Sequence, residues 1–207
     1  RMSCAMLPPR IAPWRYQRGQ RVLLNTSKAD SSAQATRDTG TTETISNSLF
    51  QVPEKVEDAM GLILELLSHS ATVVRWSAAK GIGRITERLP AICAHDVLDA
   101  ILELFDDYDS DQKWHGACLT LAELARRGLL LPERLHEVVP HVVLAIQYDR
   151  GRKTGQVAAS VGAHVRDAAC YTYWAFCRAY SPVVLRLYLH ELTEAILLTC
   201  LFDREVN

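Results

Sequence analysis

From Pro53 onward the apolar residues of this chain recur every third or fourth position, the spacing of helices that bury a single stripe. Over residues 55–67 the stripe is Val56, Ala59, Met60, Ile63 and Leu67, and over 96–105 it is Val97, Leu98, Ile101, Leu102 and Phe105. Over 133–146 it is Leu135, Val138, Val139, Val142 and Ile146, and over 183–201 it is Leu185, Tyr188, Leu189, Leu192 and Ile196. Between these lie helices of a second kind, starting near Val73, Gln112 and His164, in which a cation precedes small residues. No segment shows a convincing period of two, so the pattern predicts helices and calls for no strands. Pro53 suits the first turn of the first helix.

The second kind of helix repeats. Val74-Arg75-Trp76-Ser77-Ala78-Ala79, Gln112-Lys113-Trp114-His115-Gly116-Ala117 and Val165-Arg166-Asp167-Ala168-Ala169-Cys170 align on their cations, about 40 and about 50 residues apart. Two helices per unit at that period define an all-α solenoid of HEAT or armadillo type, built from stacked antiparallel helix pairs. Ala79, Ala117 and Ala169 lie early in their helices, where a bulky side chain would hold the helix away from its neighbours. The longer second spacing comes from an insertion that carries Arg150, Arg152 and Lys153. Residues 1–24 are expected to end a preceding helical unit, and 25–52, rich in Ser and Thr, to form a disordered linker. Residues 53–207 are expected to hold the repeats, with the last one truncated, as in an internal piece of a longer protein.

Charge and candidate chemistry narrow the function. A formal net charge of -1 speaks against a dedicated nucleic-acid binder, and no apolar run approaches the ~18–20 residues of a membrane span. Six cysteines without a Cys-x-x-Cys pair fit free thiols in a reducing, cytoplasmic setting. His136 with His141, and Cys170 with Cys177, lack the spacing of a structural zinc site, so neither metal nor cofactor is expected. Gly81-Ile82-Gly83 lies inside a helical pattern and reads as close packing rather than a phosphate loop.

Arg75, Lys113 and Arg166, at matching positions, are expected to hydrogen-bond a turn Asp or neighbouring carbonyls, with Asp109 and Asp111 before Lys113 and no Asp just before Arg166. Trp76, Trp114 and Trp174 suit packing between repeats or an interface anchor. Arg150, Arg152 and Lys153, with Arg126 and Arg127, are the candidate contacts to an acidic partner.

Several strings are more specific than a generic repeat. They are Trp14-Arg15-Tyr16-Gln17-Arg18-Gly19, the stretch 72–84 around Arg75-Trp76, Trp114-His115-Gly116 with Leu121-Ala122-Glu123-Leu124, Arg126-Arg127-Gly128-Leu129-Leu130-Leu131-Pro132, and Val165-Arg166-Asp167-Ala168-Ala169-Cys170-Tyr171 with Trp174-Ala175-Phe176. In these the chain resembles the tubulin-folding cofactor D family, also called tubulin-specific chaperone D or beta-tubulin cofactor D. The resemblance implies a large, non-enzymatic cytosolic scaffold of the microtubule cytoskeleton. Such a scaffold captures beta-tubulin, assembles the alpha/beta-tubulin heterodimer with folding cofactors C and E, and activates GTP hydrolysis by tubulin. It also implies a small Arf-like GTPase as a partner. No contact residue is carried over, and the Ser/Thr-rich 25–52 departs from a family that tends to be acidic there. The repeat alone also allows an adaptor that binds a small GTPase or an extended peptide in transport or regulation.

Overall fold

In the computed structural model the described residues are 14–17 and 20–23, as backbone, together with 52–149 and 162–203. Helix pairs follow one another as the periodicity predicts. The first helices of the pairs are α1 (Glu54–Glu65, extended by a 3-10 turn Leu66–Ser68) and α3 (Ala91–Leu102, extended by Glu103–Phe105). They continue with α5 (Leu135–Ile146, after a 3-10 turn Pro132–Arg134). The second helices are α2 (Thr72–Thr86), α4 (Asp111–Arg126) and α6 (Ala163–Ala179). A further first helix follows as α7 (Pro182–Leu185) and α8 (Leu189–Phe202). Residues 25–51, most of the expected linker, and the insertion with Arg150, Arg152 and Lys153 lie outside the described residues.

Two local expectations are corrected. Trp14–Gln17 (β1) and Gln20–Leu23 (β2) pair antiparallel, with Trp14 opposite Leu23 and Gln17 opposite Gln20. Aromatic residues alternating with polar ones favour a pleated strand, but four residues are too few to register as a period. The continuous helix expected over 183–201 is interrupted at 186–188, and Leu189 lies 40% exposed instead of on the buried stripe.

The stripes themselves close one core. Leu67, Ile101, Leu135, Val138, Val139, Val142, Ile146 and Leu192 are fully buried. Pro53 caps α1 in an extended conformation, and Glu54 and Glu57 place negative charge at the positive end of the helix dipole. In the last first helix Leu197, Leu201 and Phe202 remain exposed.

The second helices stack side by side in the order α2, α4, α6. Ala79, Ala117 and Ala169 have no exposed surface there. A Cβ at Gly116 would collide with the backbone carbonyl of Leu67, so this glycine is what lets α4 rest on the turn that ends the first helix of the preceding unit. Gly162, with φ +105°, opens α6, and a Cβ there would run into the Tyr148 ring. Hydrogen bonds then link unit to unit. Thr172 Oγ1 donates to the Cys118 carbonyl at 2.8 Å, Tyr148 Oη to Tyr108 at 2.7 Å, Tyr180 Oη to Leu130 at 2.9 Å and Thr199 Oγ1 to Ile146 at 3.0 Å. Between first helices, Arg134 joins Asp99 of α3 to Glu137 of α5. These carboxylates hold the Arg134 guanidinium pKa above its ordinary value.

Candidate functional site

The three aligned cations occupy three different settings. Arg75 is 3% exposed; its Nη1 donates to the carbonyls of His69 (2.7 Å) and Ser70 (2.8 Å), and its Nη2 to Thr72 Oγ1 (3.0 Å). Its Nε donates to Nδ1 of His115 on α4 at 3.0 Å. Burial lowers the Arg75 pKa, against the pull of Asp111. Arg166 grips Asp203 of the next unit with two bonds of 2.7 Å and donates to the Tyr148 carbonyl at 2.9 Å. Lys113 lies at the surface and pairs with Asp107 at 3.0 Å rather than with Asp109 or Asp111. Asp111 faces His164 instead, at 3.4 Å.

A polar chain therefore crosses all three second helices. Arg75 of α2 donates to His115 of α4, whose ring lies 5.2 Å from that of His164 of α6. His115 must be neutral to accept from Arg75. Burial, then Arg75, then His164 push its pKa down to about 3. His164 is also lowered, first by burial, although Asp111 pulls the other way. The sequence contained both histidines without a signal that they meet.

The tryptophans divide by environment. Trp114 is 2% exposed in a cluster with Phe105, Tyr108 and Tyr148, and its Nε1 donates to the Asp107 carbonyl at 3.1 Å. Trp174 is 47% exposed and Trp76 is partly buried against the core. Trp76 of α2 meets Tyr171 of α6 edge-on at 5.3 Å, and Tyr171 stacks on Trp174 at 5.5 Å. Lys80 lies 5.5 Å from the Trp76 ring and Arg178 5.6 Å from the Trp174 ring. In a flat layer with neighbours about 8–10 Å apart, α2 and α6 would stand about 16–20 Å apart. The Trp76 and Tyr171 side chains span that distance, meeting across α4. Residues 114–125 of α4 are buried without a break.

Arg126 and Arg127 sit beneath this row. Arg126 Nη1 bonds Glu123 at 3.0 Å and donates to the Tyr171 hydroxyl at 2.9 Å. Arg127 bridges Glu87 of α2 (2.7 Å) and Glu123 (3.3 Å). Both are therefore tied into the wall from α4. Tyr171, Lys80 and Arg178 were not singled out by the sequence; the spacing of Tyr171, Trp174 and Arg178 along one helix face was the available signal. Among the described residues no cluster of three or more His, Cys, Asp or Glu could hold a metal ion. Burial raises the pKa of the Cys118 and Cys170 thiols, which disfavours the reactive thiolate.

Two layers of helices, a repeated cation with small residues, and cross-unit polar staples define an armadillo-type α-solenoid, a scaffold class. The family model described as "Tubulin-specific chaperone D-like, ARM repeats" matches residues 1–207, and the chain belongs to that family. It is 44% identical over 146 residues to a Dictyostelium discoideum protein named tubulin-specific chaperone D, covering 68% of this chain and 10% of that protein. It is 33% identical over 186 residues to tubulin-folding cofactor D of Schizosaccharomyces pombe, covering 78% of this chain and 16% of that protein. The chain thus spans a small part of the curated relatives it matches. No solved structure matches it. Among the described residues no helix is long and apolar enough to cross a membrane.

Proposed function

We propose that the chain is a segment of a tubulin-folding chaperone, a non-enzymatic cytoplasmic scaffold that captures beta-tubulin. In this reading the whole protein assembles the alpha/beta-tubulin heterodimer with folding cofactors C and E, activates GTP hydrolysis by tubulin, binds a small Arf-like GTPase and works at the microtubule cytoskeleton. The observation that carries the reading is family membership along the whole chain, through relatives named for tubulin folding. The geometry agrees with it in kind. A layer of stacked second helices offers a wide wall for a large folded partner, where a pocket would suit a small substrate.

Arg126 and Arg127, although paired with Glu123 and Glu87, and Arg150, Arg152 and Lys153 are proposed as contacts to an acidic partner surface. A pull-down with the family-length protein tests the reading. Retention of beta-tubulin in preference to an unrelated transport GTPase is expected; preference for the transport GTPase, with no tubulin retained, would replace the chaperone with an adaptor.

A further inference from the structure

We propose that the hairpin of β1 and β2 is a detachable strap, resting on the open stripe of α6 around Tyr171 and Trp174 and displaced from it when a protein partner binds there. The strap is a device within this chain; only the partner's identity rests on the chaperone reading.

The packing of α6 fixes where such a strap can rest. This helix lies against α4 and α5, and Ala168, Ala169, Thr172 and Phe176 are buried there. The stripe left open runs through Asp167, Tyr171 and Trp174, neighbours along one helix face, and Trp174 is 47% exposed. β1 (Trp14–Gln17) rests against this same helix, although more than a hundred residues separate the two in sequence. The register with β2 places Trp14, Tyr16 and Leu23 on one face of the hairpin, together with Arg21. A strand rich in aromatic residues and a helix stripe of stacked rings are matched in chemistry.

Two features make the contact reversible. A ribbon of two four-residue strands is marginal without support, so its pairing depends on α6, whereas α6 is held by its own burial against α4. The chain between Leu23 and Glu54, at up to ~3.3 Å per residue, reaches well beyond the about 16–20 Å from α2 to α6. A strap that lets go therefore stays tethered and returns, an intramolecular competitor at high effective concentration. A partner segment that needs the Tyr171–Trp174 stripe binds only those molecules with the strap off. Its apparent affinity falls by that fraction.

A benzophenone amino acid at position 174 of the 207-residue chain tests the resting state. A crosslink to the peptide containing residues 14–23 is expected, with a yield that does not change on dilution. No crosslink, or one lost on dilution, overturns the proposal. Hydrogen exchange read by mass spectrometry tests detachment: the amides of 14–23 should exchange while those of α4 stay protected. Equal protection of the two would make the hairpin a fixed part of the fold and overturn the strap. In the family-length protein, beta-tubulin should suppress the crosslink from position 174 to the hairpin. Trp14→Ser combined with Tyr16→Ser should tighten tubulin retention about threefold or more, with a thermal melt coincident with that of the wild type. A crosslink undiminished while tubulin is retained overturns the proposal, as does equal retention by wild type and variant. If neither retains tubulin while the first two results hold, the tubulin reading falls and the strap stands.

Discussion

Replacing His115 with glutamine should flatten the acid dependence of stability. In the fold His115 accepts the Arg75 Nε–H at 3.0 Å, is 3% exposed, and faces His164 and, through it, Asp111. A proton on Nδ1 would set one donor against another beside a buried guanidinium, and its pKa is accordingly lowered from 6.5 to about 3. A group whose folded pKa is depressed in this way binds more protons when unfolded between those two values. Its contribution is complete above about pH 6.5 and is lost as pH falls toward about 3. At about 1.4 kcal/mol per unit the wild type should lose about 3 kcal/mol from this one site between pH 7 and pH 4. Glutamine also offers an acceptor to Arg75 but does not titrate. Urea unfolding followed by circular dichroism, run for both proteins at stepped pH, isolates the term. Carboxylates and the remaining histidines titrate in both proteins and cancel in the difference. The variant should be less stable at pH 7 and converge on the wild type, or pass it, near pH 4. Parallel stability curves across that range would refute the neutral, Arg75-bound histidine.

Four further outcomes follow from the packing. Gly116→Ala should lower the melting temperature by an amount equivalent to about 1–3 kcal/mol, because its Cβ meets the Leu67 carbonyl; an unchanged melt would dismiss that contact. Ala169→Leu should cost a similar amount for overpacking the junction of α4 and α6, again read by thermal melting. A double-mutant cycle on Arg166→Met and Asp203→Asn should give a coupling of about 1–3 kcal/mol, since the guanidinium is buried and the bond bidentate. Charge reversal of Arg150, Arg152 and Lys153 to Glu should weaken tubulin capture at low salt without moving the melt, and unchanged affinity would assign the insertion to solvent.

Much of the fold was legible because a buried stripe leaves a period in the sequence. Val138, Val139, Val142 and Ile146 stand at that period and are all fully buried. What escaped was of two physical kinds. Short elements carry too few residues to establish a period, which hid the hairpin at 14–23 and the interruption at 186–188. Contacts made across units carry no local signal at all. Arg166 has no Asp just before it and binds Asp203, from the following unit. Trp76 and Trp114 follow their cations at the same repeat position, yet one lies on the wall and the other in an aromatic core. Only the stacking of α2 and α6 on either side of α4 decides that Tyr171 and Trp174 complete the row begun by Trp76.

Photo-crosslinking tests most directly the claim that the layer of second helices receives the partner. A photoreactive residue at position 174 of the family-length protein should crosslink to beta-tubulin, while one at the exposed position of Ile92 on α3, in the first-helix layer, should not. Crosslinks from position 92 with none from position 174 would contradict the account and move the partner to the first-helix layer.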